Sequence, residues 1–114
     1  MDIFVQEGDV IELAAPYDRL SGEGALVGAL FGVATVDVLN TVRANFQTRG
    51  VVTLKKTSAQ AWTEGALIYW DNTNKECTTT STSNTRIGCA AVAAANPSAT
   101  GNVRLNGIAT PTGA

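Results

Sequence analysis

Residues 22–36 read GEGALVGALFGVATV, the longest apolar and nearly uncharged run in the chain. Its glycines at 24, 28 and 32 fall four apart, the spacing of close-packed membrane helix pairs, and Gly22-Glu23-Gly24 opens like a nucleotide-binding loop. Neither reading survives. Gly24 to Val36 gives thirteen residues between Glu23 and Asp37, whereas a membrane helix needs about 20. The dinucleotide fingerprint needs its third glycine at 27, but the next one stands at 28 and no long helical period follows. What remains is two strands, Ala25–Leu30 and Val33–Val36, joined at a glycine-bent corner at Phe31-Gly32. They are apolar on both faces, as a covered sheet or a small closed barrel requires. Valine in place of Gly28 or Gly32 is then expected to damage folding before it touches any partner contact.

The same logic extends outward along the chain. Short apolar stretches alternate with turn signals, and no segment carries a long helical period, which predicts an all-β domain. Asp2–Val5 and Val10–Leu13 flank Gly8-Asp9, and Pro16 closes this region because proline cannot extend a ladder. Val42–Gln47 and Val51–Leu54 are broken by Thr48-Arg49-Gly50. Thr57–Thr63 has room for one helical turn. Ala66–Trp70 (ALIYW) is the clearest strand, and Asp71–Lys75 turns it into a returning strand, Glu76–Thr80. The low-complexity Thr78–Thr85 reads as a hairpin tip, Ile87–Ala95 as a strand against a crowded face, and Val103–Leu105 as the last strand. The expectation is one domain over 1–114, a β-barrel-like or β-sandwich fold, with extended arms at 1–7 and 107–114.

Composition narrows the function classes. At 114 residues the chain can bury a core without staples. Its 45% hydrophobic content rules against disorder, and its 16% charged content leaves a surface that suits cover by a partner. The net charge is −2, and the eight basic residues are scattered in sequence with Lys55-Lys56 the one adjacent pair, so nucleic-acid binding is not expected. The acidic start MDIFVQEGD lacks the basic and apolar regions of a secretion signal. The chain is therefore expected to be made in cytoplasm, with Cys77 and Cys89 reduced.

Several chemistries are excluded outright. There is no histidine, which removes His-containing triads, and two cysteines without histidine cannot complete a four-ligand zinc site. No lysine follows a glycine and precedes Ser or Thr, so no phosphate loop of the Walker type exists. Glu7, Asp9 and Glu12 are close in sequence but read as solvated strand ends. No catalytic, cofactor-binding or metal-binding residue is assigned, and no cofactor is expected. Trp62 and Trp70 suit core packing, a subunit contact, or stacking on a ligand.

Taken in order, GDVIELAAP at 8–16, SGEGALVGALFGVA at 21–34, WTEGALIYWD at 62–71, and IGCAAVAAA leading into GNVRLNG at 87–107 resemble the DUF2190 family of small phage proteins, described as capsid cement or head decoration proteins. The resemblance implies a compact β domain on the outer surface of a phage head, a structural role without catalysis, and the major capsid protein as partner. It also implies homotrimers at three-fold or quasi-three-fold positions. Two other readings stay open: a small-molecule or glycan-binding β module with Trp62 and Trp70 lining its site, and a tail or baseplate ring protein. The capsid or subunit contacts are expected at the chain ends, on Ile3, Phe4 and Val5 and on Ile108 and Pro111, with Trp62 and Trp70 as further candidates.

Overall fold

The computed structural model describes residues 9–111, which form nine strands and no helix. Strands β1 (Val10–Ala14), β2 (Gly24–Val27), β3 (Leu30–Ala34) and β4 (Arg43–Gln47) make one antiparallel sheet in the order β1-β4-β3-β2. Strands β5 (Arg49–Lys55), β6 (Leu67–Asp71), β7 (Glu76–Thr78), β8 (Thr85–Ala90) and β9 (Thr100–Asn106) make a second in the order β5-β9-β8-β6-β7. Only Thr48 separates β4 from β5, so one run of backbone passes from sheet to sheet. Its amide and hydroxyl both donate to the carbonyl of Asp9, at 2.7 and 3.2 Å. The second sheet curls until Lys56, just past β5, forms a parallel bridge with Cys77 of β7. The fold is all-β, as expected, and the larger sheet is the barrel-like part.

The opening stretch becomes the wall between two cores. Successive residues of a strand face opposite ways. On β3, Phe31 and Val33 join the large core with Leu54, Trp62, Ile68, Trp70, Ile87 and Val103. Ala34 joins a smaller core with Ala15, Ala25, Val38 and Phe46. Phe31 and Trp70 meet with ring centroids 4.9 Å apart at a 53° tilt. The small core is built from alanines around one phenylalanine, which is why this region reads as rich in alanine and glycine.

The corner expected at Phe31-Gly32 lies instead at Gly28-Ala29, since Val27 pairs with Leu30 across a two-residue turn. Gly28 has φ +62° there, a backbone shape that side chains disfavour. Gly32 is mid-strand opposite Ala25, and a Cβ on it would stand 2.8 Å from the Cβ of the fully buried Phe46. The two glycines are needed for different reasons. Gly32→Ala is expected to cost about 1–3 kcal/mol by overpacking. Gly28→Ala is expected to cost about 1–2 kcal/mol through backbone strain alone. Urea unfolding midpoints check both, and a Gly32→Ala variant with the wild-type midpoint would refute the close packing of β3 on Phe46.

Other local expectations divide. The β6–β7 hairpin forms as read, with Trp70 opposite Cys77 and Asp71 opposite Glu76. Thr78–Thr85 is not a hairpin tip, because β7 and β8 pair with β6 on its two sides and the loop between them crosses the end of β6. No helical turn forms over Thr57–Thr63, where Trp62 makes an antiparallel bridge with Ala94. The strand expected over Ile87–Ala95 stops at Ala90, and the strand expected over Val103–Leu105 extends to Thr100–Asn106 along β5. The strand expected at Asp2–Val5 lies outside the described residues.

Lys56 is buried at 2% exposure and forms no ion pair with any described carboxylate. Its ammonium donates to the carbonyl of Thr57 at 2.8 Å and that of Ser98 at 3.5 Å, and stands 5.7 Å from the ring centre of Trp62. Carbonyl dipoles and the indole face thus replace water around the charge.

Candidate functional site

Trp62 and Trp70 are each 2% exposed and belong to the large core. Each indole N–H is satisfied internally, by Gln60 Oε1 at 3.0 Å and Asn72 Oδ1 at 3.1 Å. A glycan-stacking site built on these rings therefore has no ring face to offer. Ile3, Phe4 and Val5 lie outside the described residues.

The C-terminal segment is anchored where it leaves β9. Asn106 Oδ1 accepts the amide of Ile108 at 3.0 Å, and the amide of the buried Thr110 donates to the carbonyl of Ala29 at 2.9 Å. This ties the end of the second sheet to the β2–β3 turn of the first. Ile108 is left 64% exposed, and Pro111 is exposed as well. They flank Thr110, which bonds to the β2–β3 turn, where Gly28 and Ala29 are also exposed.

Among the described residues two titratable groups depart from their ordinary values, and both belong to the folded framework. Burial, with Glu76 adding a nearby negative charge, pushes the Cys77 thiol up to about 12. Burial also works against ionised Asp71, but it is outweighed by hydrogen bonds from the amides of Asn74 and Thr73, from the Asn74 side chain, and by the Lys75 charge. The Asp71 carboxyl is therefore held below its usual value. Asp71 fixes the β6–β7 turn in this way. The acids near the N-terminus serve as ion-pair partners: Asp9 faces Arg49 at 4.0 Å and Glu12 faces Arg43 at 3.0 Å. No group of three metal-ligating side chains exists among the described residues.

Two surface hollows stand out. One, about 430 Å³, lies between Asp18, Arg19, Leu20, Glu23, Asp37 and Leu39. Its charged groups are occupied in holding loops: Asp18 accepts the amide of Asn40, Glu23 that of Leu20, and Asp37 that of Ser21. The other, about 340 Å³, lies on the outer face of the second sheet and brings Arg49, Arg86 and Arg104 together around Gly88 and Cys89. Sequence reading missed this cluster because the three arginines come from β5, β8 and β9 and are scattered along the chain. Of the three, Arg104 alone fell inside an expected strand; Arg49 was read into the break before β5, and Arg86 lay one residue ahead of the strand expected from Ile87.

The comparisons with known proteins are consistent with a chain of this build. No curated protein and no solved structure gives a match. A family model described as phage cement protein matches residues 5–105, which takes in all nine strands except the final residue of β9. A match over most of the chain, on a small all-β domain, shows the family and with it supports a role in decorating a phage capsid: the chain belongs to the phage cement protein family.

Proposed function

We propose that the protein binds the outer surface of the assembled head as homotrimers at three-fold or quasi-three-fold positions, bridging neighbouring major capsid subunits and stabilising the shell. Membership of the cement family across residues 5–105 is the observation that carries this reading. The action is linkage. A protein that binds the completed shell better than separate subunits shifts the equilibrium toward the shell. A trimer gripping three sites gains effective concentration, so interfaces of roughly 800 Å² per partner suffice without any one contact being strong.

The contact assignments at the chain ends belong to this proposal. Ile108 and Pro111 stand exposed at the anchored C-terminal segment, and Ile3, Phe4 and Val5 supply the apolar residues of the other end. Trp62 and Trp70 are assigned to the core. Purified protein is expected to co-sediment with expanded heads that lack it and to raise the temperature at which they rupture. Three-fold clusters on imaged heads are the expected symmetry. A six-fold ring at a tail, or an unchanged rupture temperature, would overturn the reading.

A further inference from the structure

The outer face of the second sheet carries an arrangement that the fold does not use. Val51, Arg104, Cys89 and Leu67 stand side by side across four strands: Val51 pairs with Arg104, Arg104 with Cys89, and Cys89 with Leu67. Val51 is 58% and Leu67 50% exposed. Arg49 and Arg86 join Arg104 in the adjoining hollow. Of these three cations, Arg49 has a carboxylate at hand, Asp9 at 4.0 Å, in a pair exposed on both sides and therefore weak. Arg86 and Arg104 have no ion pair or side-chain hydrogen bond to any described residue.

We infer that this hollow is a docking site for carboxylate side chains on the phage shell, with Arg86 and Arg104 as the anchoring residues. The inference rests on the cement reading for the identity of the partner and on charge and shape for the place. Three of the chain's eight basic residues converge here although its net charge is −2, so the excess of positive charge is local. A guanidinium presents a planar fork that matches a carboxylate in two parallel hydrogen bonds. Arginine is also one of the residues enriched at protein–protein contact centres. A nucleic-acid phosphate track needs a longer row of cations and exposed rings for stacking, and both tryptophans are buried.

Cys89 gives the site a reporter. It is half-buried and lines the hollow, whereas Cys77 is fully buried with its thiol pushed up to about 12. A maleimide is therefore expected to label free protein once per chain, at Cys89.

The test measures binding of wild type, Arg86→Glu/Arg104→Glu and Arg86→Lys/Arg104→Lys to expanded heads, with Cys89 labelling before and after binding. Charge reversal is expected to weaken binding by roughly thirty-fold or more at an unchanged urea midpoint. The lysine pair is expected to keep more of the affinity, and head-bound wild type to label at least roughly ten-fold more slowly at Cys89, as burial of the site implies. If wild type binds and stabilises heads while the reversed variant binds equally and Cys89 stays reactive, this inference falls and the cement reading stands. If wild type does not bind heads, the cement reading itself falls. Reversal that abolishes binding to a duplex DNA probe but leaves head binding intact would assign the hollow to nucleic acid instead.

Discussion

Trp62→Ala is expected to lower the unfolding free energy by about 3–5 kcal/mol, a large share of the roughly 5–15 kcal/mol that holds a domain of this size. Trp62 sits outside the nine strands, yet it plugs the large core. Its backbone exchanges two hydrogen bonds with Ala94, at 2.9 and 3.0 Å, which fixes where the side chain enters. Gly101 on β9 leaves the space that the ring occupies, since a Cβ there would overlap the indole. The ring also covers the ammonium of Lys56, so its removal opens a large void and strips one wall from a buried charge. Trp62→Phe keeps a ring and loses the N–H bond to Gln60, and is expected to cost about 1–2 kcal/mol. Urea unfolding followed by Trp70 fluorescence separates the two, and an alanine variant within 1 kcal/mol of wild type would show that the plug is not needed.

Gly88→Ala is expected to be the most damaging single methyl group in the protein. Gly88 pairs with Leu105 in the middle of the second sheet and lies next to Ile87, beside the bulge between β6 and β8. A Cβ at this position would run into the carbonyl oxygen of Arg104, with the carbonyl carbon at 2.9 Å and Leu105 Cα at 3.2 Å behind it. Every one of these atoms is backbone, so no side chain can turn aside, and β8 and β9 must move apart. The expected cost is about 3 kcal/mol, at the upper end for overpacking, with a fall in soluble yield. A variant that folds with the wild-type urea midpoint would mean that the two strands do not approach so closely.

The strand content was legible because apolar runs and turn residues reported it together. ALIYW and the Asp71–Lys75 turn placed β6 within one residue and the start of β7 at Glu76, although β7 ends at Thr78 instead of Thr80. Errors arose where one residue type serves two purposes. A glycine signals a turn or a close approach, and Gly28 and Gly32 exchanged these roles between reading and structure. Strand order was hidden for a similar reason. Nothing local in TTTSTSNT distinguishes a hairpin tip from a loop that carries the chain past β6, since pairing is decided by partners distant in sequence. The short reading of β9 reflects Thr100, Gly101 and Asn102, which lack the bulky side chains of a strand but are paired residue for residue with β5. Surface chemistry was the least legible, because Arg49, Arg86 and Arg104 become neighbours only through the order β5-β9-β8.

The placement of β3 has a thermodynamic consequence. Phe31 and Val33 serve one core while Gly32 and Ala34 serve the other, so peeling this strand away floods both interiors in a single step. Neither half can melt and leave the other a complete interior, and the anchored Thr110 adds a second tie between them. The molecule is therefore expected to unfold as one cooperative unit despite its two sheets, with coincident fluorescence and circular-dichroism transitions as the check. A force applied to either sheet is then expected to work against the stability of the whole chain rather than of one half.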